Sequence, residues 1–100
     1  MPRGPKSYNW CFTLNNYTEE DIKDISGWKV KGVAYAKETG ENGTPHLQGY
    51  VCCNSQLSLV GMKKLNDRCH WEIMKGNLTQ NETYCSKQGQ LTIIGTNTWP

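Results

Sequence analysis

Several features common among small domains are missing from this 100-residue chain. No apolar run approaches the length needed to span a bilayer, so no membrane partner is expected. The opening Met1-Pro2-Arg3-Gly4-Pro5-Lys6 is basic but leads straight into a strand-like segment, which does not read as a secretory signal. The five cysteines, Cys11, Cys52, Cys53, Cys69 and Cys85, form no CxxC pair and are odd in number, which argues against a disulfide framework. Reduced, partly buried thiols in an intracellular protein are the expectation, with a zinc site on Cys69, His70 and Cys85 as an alternative of poor ligand spacing. No GxxxxGK loop is present to cradle a nucleotide's phosphates, so ATP binding is not expected. Charge of one sign is scarce too: the formal net charge of +2 permits nucleic-acid binding without requiring it.

What is present is alternation. Residues 8–15 repeat with period two, placing Trp10, Phe12 and Leu14 on one strand face and Cys11, Thr13 and Asn15 on the other. Thr18, followed by Glu19, Glu20 and Asp21, has the form of a helix N-cap, and Ile22, Ile25 and Trp28 supply the buried stripe. Strands are expected over residues 30–38 and 46–53, joined by a hairpin whose turn is rich in Gly, Asn, Thr and Pro. Vicinal Cys52 and Cys53 should then point to opposite faces. Residues 55–66 read as a helix with Leu59, Met62 and Leu65 inward, and residues 69–75 as a strand. Thr79-Gln80-Asn81-Glu82 forms a capping box that starts a helix before Tyr84, and residues 91–94 read as an edge strand. The order β-α-β-β-α-β-α-β predicts an α+β fold, an antiparallel sheet of about five strands with helices on one face. Residues 1–7 are expected as a basic flexible tail, 8–95 as the domain and 96–100 as a tail or linker start.

Two constellations carry chemistry. His46 and Gln48 are two apart on a strand and project from one face, and the hairpin brings the Glu38 carboxylate beside His46. An imidazole nitrogen, an amide oxygen and a carboxylate make a mixed site suited to Mn²⁺ or Mg²⁺. Tyr84 and Lys87 are three apart and so share one face of a capped helix.

Three segments resemble the motifs of replication initiators of circular single-stranded DNA viruses, of circovirus and nanovirus type. Cys11-Phe12-Thr13-Leu14-Asn15-Asn16 resembles the first motif, and Thr44-Pro45-His46-Leu47-Gln48-Gly49-Tyr50 the second, a His–hydrophobic–Gln version of the HUH metal motif. Tyr84-Cys85-Ser86-Lys87 is similar to the YxxK nucleophile motif. The resemblance runs from about Trp10 to Gly95 and includes Arg68-Cys69-His70-Trp71-Glu72 and Lys75-Gly76. It implies an RNA-recognition-motif-like HUH endonuclease fold. The implied activity is nicking and rejoining of single-stranded DNA in an origin stem-loop nonanucleotide, to start rolling-circle replication.

The resemblance implies further that Tyr84 is the nucleophile, forming a 5′-phosphotyrosine, with Lys87 supplying positive charge. Glu38, His46 and Gln48 would hold Mn²⁺ or Mg²⁺, and the second-histidine position of the HUH motif is a glutamine here. Family members act in the host nucleus, commonly carry a helicase domain after the nuclease, and often form multimers through other regions. The isolated domain is therefore expected to be a monomer.

Thr13, Asn15, Ala34, Ala36, Gln48 and Tyr50 share the site-facing parity, so that face is expected to admit splayed bases, with Tyr50 stacking on one. Basic Arg3, Lys6, Lys63, Lys64 and Arg68 are candidate phosphate contacts, and His70 and Glu72 a supporting pair. The competing expectation is a non-catalytic single-stranded nucleic-acid binding module of RNA-recognition type. It calls for stacking aromatics on the central strands and leaves the His–Gln and Tyr–Lys pairs without a role.

Overall fold

The alternation of the first strand produces the two faces around which the molecule is built. The structure, a computed structural model, describes residues 4–40, 43–75 and 91–95. Its elements are β1 (Lys6–Asn15), α1 (Glu19–Ser26), β2 (Gly32–Thr39), β3 (Pro45–Ser58), α2 (Leu59–Leu65), β4 (His70–Ile73) and β5 (Thr92–Gly95). The five strands form one antiparallel sheet in the order β4-β1-β3-β2-β5. This is the α+β architecture that the sequence predicts. The third expected helix, around Tyr84, lies outside the described residues. No helix among the described residues is long and apolar enough to cross a membrane.

One face of the sheet carries the core. Trp10, Phe12 and Leu14 of β1, Val33 and Tyr35 of β2, Leu47 and Val51 of β3 and Trp71 of β4 are all buried there, with Ile25 of α1 and Met62 of α2. Both helices thus cover the same side. Phe12, Trp28 and Trp71 form an aromatic trio with ring centroids 5.5–5.7 Å apart in tilted and edge-on contacts, the arrangement that the ring quadrupole favours. The Trp71 indole N–H donates to the Asn66 carbonyl at 2.8 Å, so its burial leaves no polar atom stranded. Gly49 faces this crowd: a Cβ there would lie 2.3 Å from the Ala34 carbonyl and 2.7 Å from the Phe12 ring. The strand crossing requires glycine at that position.

Helix α1 starts where its cap dictates. Thr18 Oγ1 accepts from the Asp21 backbone N–H, and Asp21 Oδ2 accepts from the Thr18 N–H at 2.8 Å, closing a capping box. Gly27 ends the helix before Trp28, which reaches the core from the following turn and not from the helix stripe.

Three expectations need correction. The chain is already a strand at Lys6, two residues inside the segment read as a tail, because Lys6 and Ser7 pair with Ser58 and Leu57. That pairing also extends β3 to Ser58, so α2 begins at Leu59 and not near Ser55. Between the two stretches of the β1–β3 ladder the register shifts, with Ser7 opposite Leu57 and Asn9 opposite Cys52. The extra β3 residues Asn54, Ser55 and Gln56 stand exposed. Finally, Leu59 falls at the outward-facing start of α2 and is exposed, while Met62 is fully buried and Leu65 packs on the core.

Candidate metal centre

The β2–β3 hairpin places its site residues by register. Gly40 N–H donates to the Thr44 carbonyl at 2.8 Å and Gly43 N–H to the Gly40 carbonyl at 2.9 Å, and Gly43 takes the left-handed φ of 80° that the turn needs. With the turn so closed, Glu38 lies opposite His46 and Ala36 opposite Gln48. Residues two apart on a strand share a face, so Glu38, His46 and Gln48 all stand on the side of the sheet away from the helices. Thr13 and Asn15 of β1 join them from the other flank, opposite Gln48 and His46 respectively.

Glu38 is the unusual member. Its side chain is only 5% exposed, and Oε1 lies 3.2 Å from His46 Nε2. Its other oxygen, Oε2, is buried with no hydrogen-bond partner among the described residues. A buried polar atom left unsatisfied costs about 1–3 kcal/mol, so a partner at this oxygen would be stabilising. A divalent cation would engage it. The donor set fits Mn²⁺ or Mg²⁺ on two counts: a carboxylate, an imidazole and an amide on one face, and a buried carboxylate oxygen without a hydrogen-bond partner among the described residues. Among the described residues no three His, Cys, Asp or Glu side chains cluster as a metal site. The third donor here is an amide.

Gln48 is held in place: the Thr13 hydroxyl donates to its Oε1 at 3.0 Å. This contact was not legible in the sequence, because the neighbour of β3 on that side is a strand more than thirty residues away. Asn15 is exposed beside His46. Farther along β4, at the sheet edge, His70 Nε2 and Glu72 Oε1 lie 3.0 Å apart as a largely exposed pair, and His70 lies opposite Thr13.

Tyr50 requires a correction. It has the site-facing parity but is fully buried with Ala34, against Cys11, Met74 and Leu91. A ring enclosed in this way offers no face for a base to stack on. Ala34 and Ala36 are buried as well, so this part of the sheet is not the open platform expected. Met74 and Leu91 belong to the described stretches on either side of residues 76–90, so both stretches meet this face. Tyr84 and Lys87, the expected nucleophile and its cationic neighbour, lie outside the described residues.

The basic residues are not gathered at the metal centre. Lys63 and Lys64 sit on α2, on the helical side of the sheet, and Lys63 Nζ donates to the Cys69 and Asp67 carbonyls at 3.1 and 3.4 Å. Arg68 is committed elsewhere too. Its Nη1 donates to both Asp21 carboxylate oxygens at 2.6 and 2.8 Å, and its Nη2 to the Asn16 carbonyl at 3.3 Å. Burial alone would raise the Asp21 carboxyl pKa, but the bonds from Arg68 and Thr18 reverse this and hold it below the usual carboxylate range. Arg68 therefore ties the α2–β4 loop to the start of α1, and the expected phosphate contact is replaced by an internal one.

Burial holds the thiols of the described cysteines in their protonated form. Burial pushes Cys11 up to about 11, with the Glu72 charge adding to it, and pushes Cys53 to about 11 and Cys69 to about 12. Cys52 and Cys53 take opposite faces, as vicinal strand residues must, with Cys53 in the core. The zinc alternative fails on the described residues: Cys69 is buried in the core while His70, the next residue, is exposed on β4.

Comparison with known proteins bears on the family of the chain. Residues 7–88 match the model of the family described as "Putative viral replication protein". The Replication-associated protein of Pigeon circovirus is 47% identical over 95 residues, covering 92% of this chain and 30% of the relative. That of Beak and feather disease virus is 44% identical over 87 residues, 84% of this chain and 30% of the relative. The Para-Rep C2 of Subterranean clover stunt C2 alphasatellite is 36% identical over 91 residues, 86% of this chain and 32% of the relative. The chain thus spans about a third of the length of these curated relatives. With a family match over most of its residues, and a sheet that gathers the second motif's histidine and glutamine beside a buried glutamate, the chain belongs to the viral replication protein family of the circoviruses.

Proposed function

We propose that this domain acts in viral genome replication as a site-specific endonuclease and strand-joining enzyme. It would nick single-stranded DNA in the nonanucleotide of an origin stem-loop, and so start rolling-circle replication. The observation that carries this reading is the convergence of Glu38, His46 and Gln48 on one sheet face, with a buried carboxylate oxygen left for a cation. The names of the relatives support the replication role, and the YxxK motif at Tyr84 to Lys87 supplies the nucleophile.

Glu38, His46 and Gln48 would hold Mn²⁺ or Mg²⁺, which when bound polarises a non-bridging phosphate oxygen. The chain's own residues do the rest. Tyr84 attacks phosphorus as its O–P bond forms and the bond to the 3′-oxygen breaks, leaving a 5′-phosphotyrosine and a 3′-oxygen that takes up a proton. A phenol titrates near ~10, and Lys87, three residues along the sequence from Tyr84, would favour the phenolate by its charge. Because the tyrosyl ester retains the energy of the phosphodiester, a 3′-hydroxyl can reverse the step and join strands without a nucleotide cofactor. The protein would work in the host nucleus, as a monomeric domain of a longer initiator that carries a helicase and forms multimers.

The recognition-module alternative needs exposed aromatics on the central strands. Trp10 and Phe12 are core residues and Tyr50 is enclosed, so that reading loses its main contact surface. The decisive test incubates the chain and Tyr84→Phe with a labelled single-stranded oligonucleotide bearing a circovirus-like origin loop and Mn²⁺, followed on a denaturing gel. Cleavage with a protein–DNA adduct, both lost in Tyr84→Phe, is expected. Cleavage that persists in Tyr84→Phe would make water the nucleophile.

A further inference from the structure

The bond between Thr13 and Gln48 has a chemical consequence that neither strand has alone. Gln48 carries an amide, whose two ends differ: the oxygen can bind a cation and the NH₂ cannot. A freely rotating glutamine would present the wrong end for part of the time. In the structure the Thr13 hydroxyl donates to Oε1 at 3.0 Å across the β1–β3 ladder, where the two residues lie directly opposite each other. An amide oxygen has two lone pairs, so one accepts from Thr13 while the other remains for a cation. On the far side Gln48 lies opposite Ala36, whose methyl group offers no competing donor or acceptor.

We propose that Thr13 is a positioning residue for the metal centre, holding the Gln48 side chain in place through its bond to the amide oxygen. The inference rests on the reading of Glu38, His46 and Gln48 as metal ligands. It reassigns Thr13 from contacting DNA to orienting a ligand. It also explains why a glutamine can serve where an imidazole would hold its donor atom by ring geometry: the neighbouring strand supplies the orientation that the amide lacks. Outer partners of this kind typically contribute 10- to 100-fold in metal affinity.

The test measures Mn²⁺ affinity of the full 100-residue chain by electron paramagnetic resonance of the free ion, alongside the thermal midpoint without metal. Thr13→Val, which keeps the shape and loses the donor, is expected to weaken Mn²⁺ binding roughly 10- to 100-fold, with Thr13→Ser restoring it. Thr13→Ala, which also lacks the donor, gives the same reading should the valine variant not fold. The readout that a purely structural role would not move is a loss of Mn²⁺ affinity with the metal-free thermal midpoint unchanged.

An undiminished affinity in Thr13→Val and Thr13→Ala, while His46→Ala and Gln48→Ala lose binding, overturns the role of Thr13 and leaves the metal centre standing. A loss of affinity that tracks a fall in the metal-free midpoint also overturns it. If His46→Ala and Gln48→Ala bind Mn²⁺ as the parent does, both the centre and this inference fall.

Discussion

The two faces of this sheet are drawn from the same strands, and often from adjacent residues, yet they obey different rules. On the helical face every position from Trp10 to Leu14 with the right parity is apolar and buried, and polar atoms that enter, such as the Trp71 indole N–H, are satisfied. On the other face a carboxylate is buried with one oxygen unpaired among the described residues, an amide oxygen accepts from a threonine hydroxyl, and a histidine is largely covered. The first face is built to be stable without help; the second is left incomplete in a way that a cation would complete. Stability and chemistry are thus separated by one residue of register, and variants on the two faces should fail in different ways.

The largest effect is expected on the core face. Phe12→Ala removes the ring shared by Trp28 and Trp71 and should cost about 3–5 kcal/mol, read by denaturant unfolding. Gly49→Ala comes next. Its new Cβ meets backbone at Ala34, which cannot swing aside, so the cost should reach the upper end of the ~1–3 kcal/mol typical of overpacking. Retention of full stability in Gly49→Ala would mean that β2 and β3 are free to separate locally.

On the other face Glu38→Gln should reverse the pattern. Without metal, its unfolding midpoint should equal or exceed that of the parent, because a buried carboxylate with one free oxygen is replaced by a neutral amide. With Mn²⁺ at ~100 times its dissociation constant the parent should gain about 2.7 kcal/mol, and Glu38→Gln should lose most of that gain. Removing the cation from the parent with EDTA should return it to the metal-free midpoint with its circular dichroism intact. Unfolding on chelation would mean that the metal holds the fold together, and would erase the division between the faces.

How much of this was legible follows from the range of each interaction. Glu38, His46 and Gln48 could be placed together from sequence because a tight turn and period-two alternation settle a hairpin locally. The N-cap at Thr18 was legible for the same reason, whereas the return bond from Asp21 that closes a capping box was found only in the structure. Parity gave Tyr50 its face but could not say what would cover it, and Met74 and Leu91 arrive from farther along the chain. The basic character of Arg68 was plain, but its partner Asp21 lies 47 residues away, so the pairing of a half-exposed arginine with a buried carboxylate could not be read from the sequence. The start of α2 was misplaced because residues 55–58 also have a strand pairing available, and that pairing depends on where Lys6 and Ser7 lie. Local pattern decides which way a side chain points, and long-range pairing decides what it meets.

The smallest expected effect lies at the junction of the helical face with its loops, and it is a dependence on pH. Asp21 caps α1 and accepts both bonds from Arg68, which hold its pKa below the unfolded value of ~3.9 despite its burial. A group with a depressed folded pKa contributes stability that is present above the unfolded pKa and is lost as pH falls through the folded one. The parent should therefore lose this contribution on acidification below about pH 4, whereas Asp21→Asn, which has no proton to take up, should lack that component of its acid sensitivity. At neutral pH Asp21→Asn should be less stable by about 1 kcal/mol, the usual scale of a lost capping interaction, since the half-exposed Arg68 adds little in water. The two stability curves should converge toward low pH. Parallel curves would show that Asp21 is not tied more tightly in the folded chain than in the unfolded one, and that the α2–β4 loop is anchored by the Asn16 carbonyl and the Lys63 bonds instead.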